Sequence, residues 1–314
     1  MRDRMTAYVE SLQKRVIAAL DELDPTYKFH LDSWTRKLGG YGTSGVISDA
    51  RLADPAARNG TGPPPPPSIL EKGGVNTSIV TGVLPPAAVA QMRASHASIP
   101  QPDPAAPQTG LPYFAAGISI VLHPRNPHAP TVHANYRYFE LTASPETEND
   151  NENGNGSGAR KVLAWWFGGG SDLSPAYLFE DDAAHFHRTL RAACAPHGSA
   201  LYPAFKAWCD EYFHLPHRGE ARGVGGLFFD DLSDEPHARM PAATRPGPGE
   251  AQTAERPWGR EEIFRFLRSC GESFLPSYLP LLKRRMDMEY GEHQRRWQLL
   301  RRGRYVEFNL VIDR

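Results

Sequence analysis

The sequence predicts an α+β fold built around a largely antiparallel sheet. About six segments alternate apolar and polar residues with the period of a β-strand. Amphipathic segments with helical spacing are grouped in blocks rather than placed between successive strands. Strands that follow one another without an intervening helix pair as hairpins, so we expect antiparallel pairing. A chain of 314 residues is long enough to bury a sizeable core.

The first third of the chain supplies two helices and two strands in this prediction. Residues 4–24 place apolar side chains every three or four positions, which predicts a helix packed on the core. A glycine turn at 39–42 precedes a short strand around Val46; the turn lacks the lysine and the following helix of a phosphate-binding loop. Residues 71–82 are predicted to form a strand, and a helix with proline in its first turn follows it.

Residues 111–143 are the most informative stretch, because two predicted strands flank a proline-rich connection. If the second strand is extended, His133, Asn135 and Arg137 lie on one face. Antiparallel pairing across the connection places Ser119 near Asn135. A base, an amide and a guanidinium on one face of an otherwise apolar strand predict a site for an anionic, hydrogen-bonding ligand. The alternative is a solvated sheet face, which antiparallel sheets often have.

A further strand is predicted at 161–170, where aromatic and apolar residues are dense and three glycines from Gly168 end the strand. Ser174 is expected to cap a helix whose first residue is Pro175. Asp172 lies between these elements, where it could carry function or form an Asx turn. Further elements are predicted at 180–196 (helix), 201–215 (helix), 224–230 (strand), and 261–286 and 289–303 (two arginine-rich helical stretches).

The C-terminal stretch 305–313 alternates again and is predicted to be a strand. We expect this strand to form a second wall of the site, with Asp313 facing the ligand. The apolar face of the predicted strand consists of Val306, Phe308, Leu310 and Ile312.

Three low-complexity stretches near 53–67, 144–160 and 233–259 are rich in Pro, Gly or Asn and are predicted to be surface insertions. After each stretch the chain continues with strands or helices that belong to the same predicted sheet. We therefore expect residues 1–314 to form a single domain.

Charge composition excludes a general nucleic-acid or membrane-surface binder, because 35 basic and 36 acidic residues leave a net charge of −1. No apolar run approaches the roughly 20 residues of a transmembrane helix. Acidic residues in the first helix are atypical of a transit peptide, which predicts a cytoplasmic protein, with the mitochondrial intermembrane space as the alternative. The three cysteines match no CxxC spacing and are predicted to be buried thiols.

Histidine spacing alone does not indicate a metal site. His185 and His187 are two positions apart, about 200° around a helix, and Pro216 interrupts the spacing between His214 and His217. Core histidines or substrate contacts are the alternative. No GxSxG motif indicates a serine nucleophile, and no GxGxxG motif indicates a dinucleotide site.

Several long motifs resemble those of the oxygen-dependent coproporphyrinogen III oxidases, and the resemblance covers almost the whole chain outside the three insertions. The motifs are EKGGVNTSIVTG, HPRNPHAPTVHANYRYFE, WWFGGGSDLSP, DDAAHFHRTL, YPAFKAWCDEYF, HRGEARGVGGLFFDDL and RRGRYVEFNLVIDR.

This resemblance implies a single-domain fold in which a large, flat antiparallel sheet lies between two layers of helices, usually in a homodimer. It implies oxidative decarboxylation of two propionates of coproporphyrinogen III to vinyl groups, a step of haem biosynthesis. The products would be protoporphyrinogen IX, carbon dioxide and hydrogen peroxide, with molecular oxygen as oxidant. It implies no required cofactor, although a divalent metal has been suggested for some bacterial members.

The resemblance also assigns roles by position. It implies catalytic roles for His133, Asp172, Asp313 and Arg137, with His133 in proton transfer and the two aspartates near the pyrrole N–H groups. It implies substrate binding by Ser119, Asn135, Tyr136, Arg137 and Arg222. If a metal is used, the candidate ligands are His123, His133, His187 and His217.

Two departures from the family pattern leave alternatives open. Ile79 stands where relatives often have histidine, and relatives are expected to continue past Arg314 with a segment that completes the pocket and supports the dimer. One alternative is a non-catalytic porphyrinogen-binding protein. The other is a histidine-ligated metalloenzyme.

Overall fold

A computed structural model describes residues 1–48, 67–95, 99, 101, 110–143, 161–241, 243 and 255–313. The strands are β1 (His30–Thr35), β2 (Gly40–Ser48), β3 (Leu70–Leu84), β4 (Leu111–Pro124), β5 (Thr131–Thr142), β6 (Val162–Ser174), β7 (His214–Leu215), β8 (Glu220–Ala221) and β9 (Gly225–Leu232). The helices are α1 (Arg2–Leu23), α2 (Pro86–Ser95), α3 (Glu180–Cys194), α4 (Leu201–Tyr212), α5 (Arg260–Glu272), α6 (Phe274–Arg285) and α7 (Glu292–Glu307).

Seven strands form one sheet in the order β1-β2-β3-β4-β5-β6-β9, and each neighbouring pair is antiparallel. β7 and β8 form a separate two-stranded ribbon. The predicted α+β class with a large antiparallel sheet is confirmed. The single-domain boundary at 1–314 stays a prediction.

One face of the sheet is buried beneath helices. Helix α1 packs on β3 and β4, α5 packs on β6, and both α3 and α4 contact β9. Alternate residues of β5, such as Ala134, Tyr136 and Tyr138, point into this core and are fully buried. Burying a large apolar side chain of this kind contributes roughly 1.5–3 kcal/mol, so this face carries much of the fold's stability.

Helices cover the two ends of the opposite face. At one end Val89 of α2 packs in a cluster with Leu141 and Trp166. At the other end the ring of Tyr305, on α7, meets the ring of His123 edge-on with 5.4 Å between centroids. Between these contacts the polar residues of β4 and β5 remain accessible, which leaves room for a cavity.

Helix α7 is attached to the sheet largely through polar contacts. Its residues Arg295 and Arg302 both donate to the buried carboxylate of Glu71 on β3, the former at 2.7 Å. Gln298 donates to the carbonyl of Pro124 at 3.0 Å, at the end of β4. These contacts fix the position of the helix although Gln298 and Tyr305 are its only buried residues in the described chain.

Two sequence predictions about β6 were wrong. The strand continues through Gly168–Gly170 to Ser174, and the described residues 175–179 form no helix, so the helix predicted to begin at Pro175 is absent there. The separate helix predicted at 180–196 is present as α3. Glycine is needed here for close approach, because a Cβ on Gly170 would lie 2.4 Å from the carbonyl oxygen of Leu227 on the neighbouring strand. The glycines therefore let the sheet continue instead of ending it.

The predicted strand at 305–313 was also wrong. Helix α7 continues to Glu307 and ends in a π-helical turn at Phe308–Ile312. Tyr305 and Phe308 are three positions apart and are both buried, whereas Val306 and Leu310 are exposed, so the apolar pattern follows a helix rather than a strand. The second wall of the site is thus a helix end.

The first two predicted insertions lie outside the described residues, apart from Pro67. The described flanks of the third one pack against the core: Arg256 is buried and donates to the carbonyls of Ser233 and Glu235. The three cysteines are buried free thiols, as predicted. None of the described helices has the length and apolar character that crossing a membrane requires.

Candidate active site

A cavity of about 410 Å³ lies on the accessible face of the sheet. Its floor comes from β4, β5, β6 and β9, and its side walls come from α4, from the loop before β9 and from the end of α7. This volume falls within the range of small-molecule sites. The cavity brings together seven residues predicted from the sequence: Ser119, His133, Asn135, Arg137, Asp172, Arg222 and Asp313.

The hairpin register supplies the first row of these side chains. Ser119 of β4 pairs directly with Asn135 of β5, as predicted from the alternation and the connection between them. Because successive side chains of a strand point to opposite faces, His133 and Arg137 flank Asn135 on the same side. The floor therefore presents a hydroxyl, an amide, an imidazole and a guanidinium to one ligand.

The innermost contact joins His133 to Asp172. These residues face each other across the β5–β6 ladder, and Nδ1 of His133 lies 2.8 Å from Oδ1 of Asp172. Since an ionised carboxylate only accepts hydrogen bonds, we assign the proton to Nδ1. The lone pair of Nε2 is then free for a ligand in the cavity.

Arg222 holds the other oxygen of the same carboxylate. Its Nη2 donates to Oδ2 of Asp172 at 2.6 Å, and both side chains are almost completely buried. The rings of Phe213, Tyr305 and Phe308 enclose the guanidinium, with centroids 3.7, 4.5 and 4.9 Å from its central carbon. The aromatic faces and the carboxylate together compensate for the cost of burying this cation.

Asp172 remains ionised because of these partners. Burial by itself would raise the pKa of its carboxyl, but the charge of Arg222 and the contact with His133 more than offset that effect. The net result is a pKa below the ordinary aspartate value. At neutral pH the carboxylate can therefore accept from both neighbours at once.

Asp313 lies at the outer rim, opposite the β5 floor. Tyr212 donates its hydroxyl to Oδ1 of Asp313, and its ring stacks on Phe228 with 4.2 Å between centroids. Burial and the bond to Asp313 raise the pKa of Tyr212, so it remains a donor at neutral pH. Asp313 faces the cavity as the sequence predicted, although a helix end rather than a strand carries it.

Tyr136 is the predicted substrate-binding residue that the structure keeps away from the cavity. Its side chain is fully buried on the helix-covered face, where its hydroxyl donates to the carbonyl of Cys270 at 3.0 Å. The reason is the alternation along β5, which points Tyr136 away from its neighbours Asn135 and Arg137.

The four histidines named as possible metal ligands do not converge. His123 contacts Thr131 at 3.2 Å, His187 contacts Tyr202 at 2.9 Å and His217 contacts Glu307 at 2.8 Å. Burial lowers the pKa of His123 to about 3, so it is neutral. In the described part of the chain, no three His, Cys, Asp or Glu side chains group closely enough to hold a metal ion.

Sequence reasoning missed part of the cavity wall. Tyr212, Phe213 and Phe228 line the cavity, and Asn309 accepts from Nη1 of Arg222 at 3.4 Å. The available signal was the pair of aromatic doublets, Tyr212-Phe213 and Phe228-Phe229, each next to charged residues. Such doublets occur in ordinary cores as well, so they did not distinguish wall from core.

Comparisons with known proteins agree on one family. A family model described as coproporphyrinogen III oxidase matches residues 4–314. An oxygen-dependent coproporphyrinogen-III oxidase of Drosophila melanogaster is 43% identical over 315 residues, which cover 100% of this chain and 65% of that protein. The human mitochondrial protein of that name is 42% identical over 100% of this chain and 56% of its own length.

A chloroplastic protein of Glycine max with the same name is 40% identical over 100% of this chain and 66% of its own length. The chain thus spans less than two thirds of the length of each of these relatives.

Proposed function

The chain belongs to the coproporphyrinogen III oxidase family, and on that premise we propose that it catalyses the oxygen-dependent oxidative decarboxylation of coproporphyrinogen III to protoporphyrinogen IX. The observation that carries the proposal is the hydrogen-bonded series His133–Asp172–Arg222 at the inner end of a cavity that also holds Arg137. One ligand can thus contact both His133, which can transfer a proton, and Arg137, which can bind a carboxylate.

The substrate's chemistry matches the lining. Coproporphyrinogen III carries four propionates and four pyrrole N–H groups. Arg137 has 48% of its side chain exposed and can meet a propionate with two parallel hydrogen bonds. The pyrrole N–H groups need acceptors, and the carboxylate of Asp313 at the rim supplies them. Ser119 and Asn135 add neutral hydrogen-bonding groups between these charges.

The reaction balances without an external electron carrier. Each propionate loses its carboxyl carbon as carbon dioxide, and the two remaining carbons become a vinyl group. The two electrons released, together with two protons, reduce one molecule of oxygen to hydrogen peroxide. Two such steps on one macrocycle give protoporphyrinogen IX, two molecules of carbon dioxide and two of hydrogen peroxide.

The residues of the cavity have different roles in the proton transfers. In this proposal a base removes a pyrrole proton, and the electron-rich ring then reacts directly with oxygen. Loss of carbon dioxide follows as peroxide leaves. Nε2 of His133 is suited to proton transfer, since Asp172 fixes the other ring nitrogen and stabilises the imidazolium that forms. Asp313 holds the pyrrole N–H groups during the exchange.

The decisive experiment is turnover of coproporphyrinogen III under air and under nitrogen, with metal analysis of the same protein sample. The products are oxidised to porphyrins, which are then distinguished by their fluorescence. We expect protoporphyrin under air only. Binding without conversion would instead identify a non-catalytic porphyrinogen-binding protein, and activity lost on exhaustive chelation would identify a metalloenzyme.

We further propose that the protein acts as a homodimer without a required cofactor. Sedimentation equilibrium at micromolar concentration tests the first point, since a single species of monomer mass would contradict it. The names of the human and Glycine max relatives include the words mitochondrial and chloroplastic. For this chain we propose a cytoplasmic location, with the mitochondrial intermembrane space as the alternative, to be decided by cell fractionation.

A further inference from the structure

An irregularity in the sheet places an aspartate next to the cavity's arginine. Between β6 and β9, Gly169 pairs with Phe229 and Phe167 pairs with Leu232, so β9 has an extra residue between these two pairs. Asp231 in this bulge has φ = 55°, in the left-handed region that non-glycine residues rarely adopt. A bulge of this kind changes the direction of the neighbouring side chain, here that of Asp230.

The redirected carboxylate pairs with Arg137. Nη2 of Arg137 donates to Oδ2 of Asp230 across the intervening strand β6. Gly168, which pairs with Arg137 in the ladder, lies beneath this contact. A Cβ on Gly168 would lie 2.3 Å from Oδ1 of Asp230 and 2.8 Å from Nε of Arg137. The ion pair therefore requires glycine at this position.

Contacts outside the cavity hold Asp230 in place. Its backbone carbonyl accepts from Nε2 of His237 at 2.8 Å, while Nδ1 of His237 accepts from the backbone N–H of Arg239 at 3.1 Å. Burial lowers the pKa of His237, which keeps the ring neutral and suited to one donated and one accepted bond. The bulge is thus anchored by residues that do not line the cavity.

We propose that Asp230 is a positioning residue that orients Arg137 for the substrate's propionate, an inference that rests on the proposed function. A guanidinium has five N–H donors, and Asp230 accepts from one hydrogen of Nη2, so one edge with two parallel N–H groups stays available for a carboxylate in the cavity. Without Asp230 a side chain that is half exposed would sample many rotamers before each binding event.

The test is a double-mutant cycle on turnover. The variants Asp230→Asn and Arg137→Gln, alone and combined, are assayed for kcat and KM with coproporphyrinogen III. We expect Asp230→Asn to lower kcat/KM about 10-fold when Arg137 is present and less than about 2-fold in the Arg137→Gln background, since coupling between contacting residues corresponds to roughly 2- to 150-fold. The loss should appear mainly as a higher KM, because an arginine that is no longer held in place binds the propionate less well.

Glu261→Gln serves as the matched control, because Glu261 on helix α5 forms an exposed ion pair with Arg4 and the substitution removes its charge. It should change kcat/KM in neither background. Gly168→Ala provides a second variant that leaves both charged residues in place and separates them sterically. We expect it to reproduce the loss seen with Asp230→Asn, again only when Arg137 is present.

The outcomes separate this inference from the function on which it rests. An equal loss in both backgrounds would mean that Asp230 has a structural role only, and the inference would be overturned. A wild type that converts substrate beside an unaffected Asp230→Asn variant would overturn the inference and leave the function intact. A wild type that converts nothing would overturn the proposed function, and the inference with it.

Discussion

His133 and Asp172 are 39 positions apart in the chain, yet their side chains form a hydrogen bond of 2.8 Å at the bottom of the cavity. The ladder between β5 and β6 pairs the two residues directly, so the contact follows from strand register. Since the ladder is part of the central sheet, the base and its partner need no ligand-induced movement to meet.

Replacing Asp172 with asparagine should lower kcat by at least ~10²-fold, because an amide does not stabilise the imidazolium of His133 and can favour the wrong tautomer. Steady-state turnover of coproporphyrinogen III measures this. The Glu261→Gln variant, altered at an exposed carboxylate, should keep normal turnover. Normal kcat in a folded Asp172→Asn variant would contradict the proposed role of the pair.

Arg222→Lys should destabilise the fold by ~2–4 kcal/mol. A lysine cannot lie flat among the three aromatic rings, and a poorly placed ammonium leaves the buried Asp172 uncompensated. Urea unfolding at pH 7 measures the free energy of unfolding. Arg191→Lys is a suitable control, since this exposed arginine lies over the ring of Tyr202 and forms no ion pair with a buried carboxylate among the described residues. Equal losses in both variants would show that Asp172 does not depend on Arg222.

Arg137→Ala and Asp313→Ala should each reduce turnover by at least ~10²-fold, the usual effect of losing a charge-stabilising or acid–base group. For Arg137→Ala we also expect weaker binding of coproporphyrin, followed by quenching of its fluorescence. Near-normal activity in both variants would rule out the assignment of these two residues to the substrate.

Tyr212→Phe should have a milder effect, of about 3- to 10-fold in kcat, because it removes the hydroxyl that donates to Asp313 and keeps the ring stacked on Phe228. Thermal unfolding should be nearly unchanged, which separates the loss of the hydrogen bond from loss of packing. If turnover is unaffected, Asp313 does not need this donor.

Glu71→Gln should reduce stability in a pH-dependent way. Burial would raise the pKa of Glu71, but Arg295 and Arg302 lower it to about 2, below the ordinary 4.5. Because the folded-state pKa is depressed, the contribution of Glu71 is complete above about pH 4.5 and is lost as pH falls towards 2. The variant should be ~3 kcal/mol less stable than wild type at pH 7.

Urea unfolding of both proteins between pH 7 and pH 2.5 follows this difference, which should shrink steadily below pH 4.5. Glu261→Gln, whose partner Arg4 is exposed, should show almost no difference at any pH. A constant difference across the range would mean that Glu71 contributes through packing rather than through its charge.

The sequence predicted the elements whose pattern is local. Alternation and a short connection were sufficient to pair Ser119 with Asn135 and to place His133 and Arg137 on the same face. The stretch 305–313 shows where this logic failed, because its residues alternate and also repeat at helical spacing. Packing of Tyr305 and Phe308 around Arg222 decides between the two patterns, and this contact is not visible in the sequence.

The contact between Arg137 and Asp230 lay beyond sequence reasoning for a different reason. It depends on a one-residue irregularity between β6 and β9 and on the missing side chain of Gly168. Nothing local in Phe228–Leu232 marks the position of the bulge, since its register is set by pairing with a strand more than 50 residues earlier. The same glycine was interpreted as the end of a strand because its neighbours in space were unknown.

The two faces of β5 have a consequence for inherited variation. Substitutions at Ala134, Tyr136 or Tyr138 should lower the cellular abundance of the protein, and growth at reduced temperature should partly restore it. Substitutions at the intervening Asn135 and Arg137 should leave abundance normal and abolish turnover at every temperature. A saturation mutagenesis screen that scores abundance and activity separately would therefore alternate between two phenotypes along one strand, with a period of two residues.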